Sequence, residues 1–174
     1  MFESLKRKYI DWQIKKCLER KSWQREKRFV NWNNAHNITV LLSYQEVDLK
    51  EIARVRETLA DKNTIIWIFV DTKQEMASSE KVVFINRQSI SFLGKPKEAM
   101  INDFLKEKSD IVVDLTDKEN FTMKYLLGIS KAHCRCGLKK SGYQYDFEIS
   151  GCGQIRRSDL LDQILYYLKT IKEK

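Results

Sequence analysis

Three short runs, at 38–43 (ITVLLS), 64–70 (TIIWIFV) and 110–115 (DIVVDL), are apolar almost without interruption, and nothing else in the chain constrains its fold as tightly. Successive side chains of a strand point to opposite faces, so a strand with one wet face alternates apolar with polar residues, whereas one apolar at nearly every position is buried on both faces. None of the runs approaches the roughly 20 residues needed to cross a bilayer, and each is therefore expected as a buried strand. β-Branched and aromatic residues dominate the second, which stops at Asp71.

Helical patterns lie between and beyond these runs. Asp48 stands where it can cap a helix over 49–60, and 120–131 carries Phe121, Leu126, Leu127 and Ile129 at helical spacing. Gly94 and Pro96 mark a turn before a helix at 99–106, the proline standing where a helix can begin. A final helix, capped by Ser158 or Asp159, repeats Leu160, Leu161, Ile164, Leu165, Leu168 and Ile171 along one side. Shorter strands are expected at 82–85, 133–136 and 145–149, while 72–81 is polar and too short to read as a helix. Strands alternating with helices at this spacing imply an α/β, doubly wound, mostly parallel sheet covered on both faces.

Residues 2–28 lack glycine and proline, and Phe2, Leu5, Tyr9 and Trp12 follow a three-and-four spacing, so an amphipathic helix is expected there. Its aromatic stripe must cover the body of the domain, a partner subunit or a membrane interface. The net charge is +8, and residues 1–30 hold ten Lys or Arg against Glu3, Asp11, Glu19 and Glu26, an excess of six. So local an excess is either a docking surface or a solvated helix face. As a docking surface, Lys6, Arg7, Lys15, Lys16 and Arg20 would engage an acidic protein, an anionic membrane surface or nucleic acid. Association with a second copy of the chain is a further possibility. The chain thus reads as a basic helical extension over 1–32 and a single α/β domain over 33–174.

With 174 residues the chain has the size of one domain and can bury a core without disulfide or metal staples. No apolar stretch with a small-residue cleavage site follows Lys6, Arg7 and Lys8, which makes the cytoplasm the expected location. Cys17, Cys134, Cys136 and Cys152 form no paired C-x-x-C and read as reduced thiols. Cys134, Cys136 and Cys152 with His133 can be arranged as a zinc site, but buried cysteines also behave as small hydrophobes; no metal is expected. No cofactor is expected either, since neither G-x-G-x-x-G nor G-x-x-x-x-G-K-[ST] occurs. Catalysis has little support, because the remaining histidine, His36, sits in a polar loop and no Cys-His pairing follows from spacing.

In an open parallel sheet, ligands bind beyond the carboxyl ends of the strands, near the point where strand order reverses. Candidate ligand-binding residues there are Ser43, Tyr44 and Gln45 after the first strand, Asp71 after the second, and Asp114, Thr116, Asp117 and Asn120 around the end of the third run. Asp114 and Thr116 can equally cap the following helix or tie a loop. Gly151, Cys152 and Gly153 offer amides that can hold an anion with help from Arg156 and Arg157, or form a plain turn.

The segment 109–137 (SDIVVDLTDKENFTMKYLLGISKAHCRCG) resembles the end of the N-terminal Rossmann-like half of heptosyltransferase-type glycosyltransferases of the GT-B class. There a strand ending in an aspartate leads into a helix and then a short strand ending in glycine, places held here by Asp110, Asp114, Leu115, Ser130, Ala132 and Gly137. The pattern is also similar to small uncharacterised bacterial proteins that carry only this half-fold behind a basic helix. The resemblance implies a Rossmann-like scaffold and, in a cut-down transferase-like protein, binding of a phosphorylated sugar or nucleotide. Such transferases carry a glycine-rich turn after the first strand, where this chain has Ser43, Tyr44, Gln45 and Glu46. They also need a second domain of similar size. The expected function is therefore a non-enzymatic binding or interaction module on a Rossmann-like scaffold, with phosphorylated-ligand binding and nucleic-acid binding through the basic helix as alternatives.

Overall fold

The computed structural model describes residues 2–21, 23–151 and 155–172. In chain order the elements are α1 (Phe2–Leu18), β1 (Asn37–Tyr44), α2 (Leu49–Thr58), β2 (Asn63–Val70), β3 (Val82–Ile85), α3 (Glu98–Lys106), β4 (Ile111–Asp114), α4 (Phe121–Ile129), β5 (Cys134–Leu138), β6 (Phe147–Ile149) and α5 (Arg157–Thr170). The six strands make one all-parallel sheet in the order β3-β2-β1-β4-β5-β6, a Rossmann-like doubly wound arrangement.

The three apolar runs are neighbours at its centre, with Leu41 of β1 opposite Trp67 of β2 on one side and Asp114 of β4 on the other. Alternation along β1 divides its side chains between two cores. Ile38, Val40 and Leu42 meet Ile52 and Val55 of α2 and Leu160, Leu161, Ile164, Leu165 and Leu168 of α5. Leu41 faces the opposite layer, with Ile10 and Ile14 of α1, Ile101 and Phe104 of α3, and Met123, Leu126 and Leu127 of α4. Both faces are covered, which is why polar alternation is missing from these strands.

Helix α1 is one of the covering helices, and it packs on α4 through Ile10, Ile14 and Cys17. The contact is close at Gly128, where an added Cβ would lie 2.6 Å from Ile14 Cδ1. The helix stops at Leu18, short of the expected end at 28, because residues 23–31 are tied down in a non-helical path across the end of the sheet. The Trp23 indole donates to the Ile129 carbonyl at 2.9 Å, and the Arg25 guanidinium donates to the carbonyls of Ala132 at 2.6 Å and His133 at 2.9 Å. Asp146 completes the anchor by pairing with Arg25 and with Lys27.

The expected cap of α2 is present: Asp48 accepts from the Lys50 and Glu51 amides. At α5 it differs, since Arg156 occupies the N-cap without a side-chain hydrogen bond and Ser158 and Asp159 fall inside the first turn. There Asp159 pairs with Arg156 at 2.9 Å, an acid placed where the helix dipole favours it. The crossover from β2 to β3 has no helix. Its polar groups are met locally: Asn86 donates to the Gln74 carbonyl, Ser78 accepts from the Phe84 amide, and Arg87 pairs with Asp71.

Candidate functional site

Strand order reverses between β1 and β4, so the crevice beyond their carboxyl ends is where this architecture binds ligands. Here an arginine from the far end of the chain occupies it. Arg157, at the start of α5, sends Nη1 to Glu51 Oε2 at 2.6 Å and Nη2 to the Ser43 carbonyl at 2.7 Å and Asp117 Oδ1 at 3.2 Å. The guanidinium carbon lies 4.5 Å from the centre of the Tyr44 ring. The Tyr44 hydroxyl donates to the same Glu51 oxygen at 2.6 Å, and burial first, then that hydrogen bond, raises its pKa far above the ordinary phenol value. Burial alone would lower the Arg157 pKa, but the Glu51 hydrogen bond and charge outweigh it and the cation is held. The result is a stacked and doubly paired cation standing where a glycine-rich turn would leave space for phosphate.

A second closed network lies beside it at the end of β4. Asp114 is fully buried; its Oδ1 accepts from the Thr116 amide at 2.9 Å and hydroxyl at 2.6 Å, and its Oδ2 accepts from Lys140 Nζ at 2.9 Å and the Tyr145 hydroxyl at 2.6 Å. Lys140 also donates to the Thr116 carbonyl at 2.8 Å and to its hydroxyl. A buried carboxylate with a cation and three further donors has its hydrogen-bonding capacity filled, so the network ties the β4–α4 turn to the segment after β5.

The residues expected to share one site are thus divided among several structures. Ser43, Tyr44 and Asp117 gather around Arg157; Asp114 and Thr116 belong to the Lys140 network. Asp71 forms a forked pair with Arg87, whose hydrogen bond holds its carboxyl below the ordinary carboxylate range. Asn120 caps α4 through the Met123 amide and its own amide donates to the Tyr143 hydroxyl at 2.9 Å. Gln45 is exposed. Glu51, Lys140, Tyr145 and Arg87 escape a sequence reading because each acts through a partner distant in sequence or on another element; Arg157 was legible as a helix-start cation, but not as one turned inward.

Two depressions flank these networks. One, of about 670 Å³, lies between the amino ends of α2 and α5, is bounded by Arg157, Glu51 and Asp117 themselves, and carries both signs of charge with Lys50, Arg54 and Asp162. The other, of about 490 Å³, lies beyond β2 and is bordered by Lys6, Phe69, Asp71, Arg87, Phe92 and Glu119.

The thiols of Cys134 and Cys136 are buried 3.5 Å apart, and their mutual hydrogen bond together with burial pushes the Cys136 thiol well up. Among the described residues no group of three or more His, Cys, Asp or Glu side chains is placed to hold a metal ion. Cys152 and Gly153 lie outside the described residues.

The outer face of α1 differs in kind. Phe2, Leu5 and Trp12 are 45%, 56% and 53% exposed, Tyr9 is half-buried beside them, and Lys8, Lys15, Lys16 and Arg20 are exposed around them. Lys6 and Arg7 have local partners: Lys6 stands 4.8 Å from the Phe2 ring and Arg7 is paired with Glu119 at 2.6 Å. Lys15 lies 3.9 Å from Glu19, and Lys16 stands 5.1 Å from the Trp12 ring. The helix therefore carries two apolar stripes, one buried through Ile10, Ile14 and Cys17 and one turned outward. Among the described residues, no helix is long and apolar enough to cross a membrane.

No curated protein and no solved structure matches the chain. Residues 6–171 match a family described as a family of unknown function (DUF6913), which takes in α1 from Lys6 onward and every later element of the fold, and the chain belongs to that family.

Proposed function

We propose that the protein is a non-enzymatic binding module in which the α/β body is a rigid scaffold and the outward face of α1 is the docking element for an acidic surface. One observation carries this reading: α1 buries one apolar stripe in the core yet leaves a second, Phe2, Leu5 and Trp12, exposed among lysines. A helix that served only its own core would gain nothing from the second stripe, since exposed contiguous apolar surface marks interaction sites. At the crevice beyond β1 and β4 the Arg157 guanidinium is already engaged by Glu51, Asp117 and the Ser43 carbonyl, which favours docking on the helix over a phosphorylated sugar or nucleotide held by that cation.

Replacing Lys8, Lys15, Lys16 and Arg20 with glutamine removes charge while keeping helix propensity and leaves the Arg7–Glu119 pair intact. A control with the same charge replaces the exposed Lys73, Lys81, Lys108 and Lys169. Binding to anionic vesicles, homopolymeric RNA and polyglutamate is measured for each across a salt series. At least one surface should bind the native protein, with affinity falling steeply with salt and on the order of tenfold or more in the α1 variant only. No binding to any of the three, or equal losses in both variants, would contradict the reading.

A further inference from the structure

We infer that the surface engaged by α1 is an anionic lipid bilayer, with the helix lying in the interfacial plane and its outward stripe entering the headgroup region. This rests on the docking reading above and names its partner.

The first support is the order of side chains around the helix. At 100° per residue, Phe2, Leu5, Tyr9 and Trp12 fall within one arc of about 80°, which Lys16 continues past Trp12, with Lys8 and Lys15 on one flank and Lys6 on the other. Both acids within α1, Glu3 and Asp11, fall off that arc, and Asp11 is engaged with the buried Lys124 at 2.7 Å. A helix with Trp, Phe and Leu on one side and lysines flanking them is the pattern of an interfacial helix.

The stripe also continues beyond the helix. Phe92, 80% exposed in the loop before α3, meets Phe2 with ring centres 5.1 Å apart, and Lys6 stands 5.9 Å from the Phe92 ring. Lys16 lies against Trp12 in the same way. These lysines run along aromatic surface with their ammonium groups at its edge, an arrangement that keeps charge among lipid phosphates while rings enter the apolar layer.

Shape and chemistry separate a bilayer from the other acidic surfaces. The stripe is convex and its middle is apolar, so pressing it on nucleic-acid phosphates would leave Leu5 and Phe2 without apolar contact. A bilayer deforms around a convex helix and accepts both charge and hydrocarbon. Because α1 stays packed on α4 through Ile10 and Ile14, docking needs no unfolding.

Two variants of the full chain test this by co-sedimentation with vesicles of phosphatidylcholine alone or doped with phosphatidylglycerol. Leu5→Gln with Trp12→Gln removes outward apolar surface without changing charge; Lys8→Gln, Lys15→Gln and Lys16→Gln remove charge only. The native protein should bind the doped vesicles and not the neutral ones; loss of three lysines at roughly fivefold each should weaken binding about a hundredfold, and loss of the Leu5 and Trp12 apolar surface should weaken it at least about tenfold. Both apolar substitutions are at half-exposed positions, so unfolding temperatures should be unchanged. Equal binding to both vesicles, or native-like binding by the Leu5/Trp12 variant, would overturn the inference. Binding to RNA or polyglutamate without vesicle binding would overturn it while leaving the docking reading standing, and failure on all three surfaces would end both.

Discussion

Arg157 Nη1 lies 2.6 Å from Glu51 Oε2, joining the first turn of α5 to α2 across the crevice where the strand order reverses. The Tyr44 hydroxyl shares the same carboxylate oxygen, and the Ser43 carbonyl takes the other arm of the guanidinium. The chain's own side chains therefore hold together the part of the fold that usually stays open for a ligand.

Replacing Arg157 with methionine leaves Glu51 half-buried with, among the described residues, the Tyr44 hydroxyl as its side-chain partner, and stability should fall by about 2–3 kcal/mol, the value of a hydrogen bond to a charged group. Adding Glu51→Met should recover part of the loss, since removing both partners of a buried pair costs less than removing one. Urea midpoints of the single and double variants measure this. Additive losses would show that the two residues are not coupled.

At Gly128 an added methyl would stand 2.6 Å from Ile14 Cδ1. Gly128→Ala should overpack the contact between α1 and α4 by about 1–3 kcal/mol, offset by about 1 kcal/mol of helix propensity, for a net cost of up to about 2 kcal/mol. Shortening the neighbour with Ile14→Ala should relieve part of this, so the double variant should be more stable than the sum of the single effects implies. A Gly128→Ala that stabilises by the full helix-propensity gain of about 1 kcal/mol would mean that α1 is not seated against α4 in this way.

The Asp114 network makes a sharper demand. With Lys140→Met, a fully buried carboxylate loses its cation, and the cost should be about 3–5 kcal/mol. Tyr145→Phe removes one hydroxyl donor and should cost about 1–2 kcal/mol. If Lys140→Met unfolds at the native urea concentration, Asp114 is not held as described.

Acid stability should depend on Asp146. Burial raises its pKa, but the Arg25 hydrogen bond, the Arg135 amide and Lys27 together hold it below the ordinary carboxylate value. A depressed folded pKa adds stability above the unfolded value of about 4, and that contribution is lost as the pH falls through the folded pKa. Asp146→Asn should therefore lower stability at neutral pH and flatten its decline below about pH 4. An acid limb identical to that of the native protein would rule this out.

Much of the scaffold is legible before folding. The runs at 38–43, 64–70 and 110–115 lack polar alternation, and β2, β1 and β4 are indeed parallel neighbours with both faces covered. The fate of α1 was less legible, because it holds two apolar stripes and periodicity does not say which one packs. Ile10, Ile14 and Cys17 face α4, whereas Phe2, Leu5 and Trp12 face outward. Its early end was hidden as well, since Arg25 anchors to Ala132, His133 and Asp146 more than 100 positions away. Arg157 is the same kind of case. From the sequence it reads as help for an anion near Gly151, or as part of a turn, until folding brings Ser43, Glu51 and Asp117 to it.

The most direct measurement is the quenching of tryptophan emission by brominated lipids in anionic vesicles, compared between the native protein and Trp12→Phe. Trp32 and Trp67 are buried and Trp23 is tied to the Ile129 carbonyl, so Trp12 is the ring placed to meet lipid. Docking through the outward face of α1 requires quenching in the native protein that is largely lost in Trp12→Phe, with no quenching in neutral brominated vesicles. No quenching in either protein, or equal quenching in both, would contradict it.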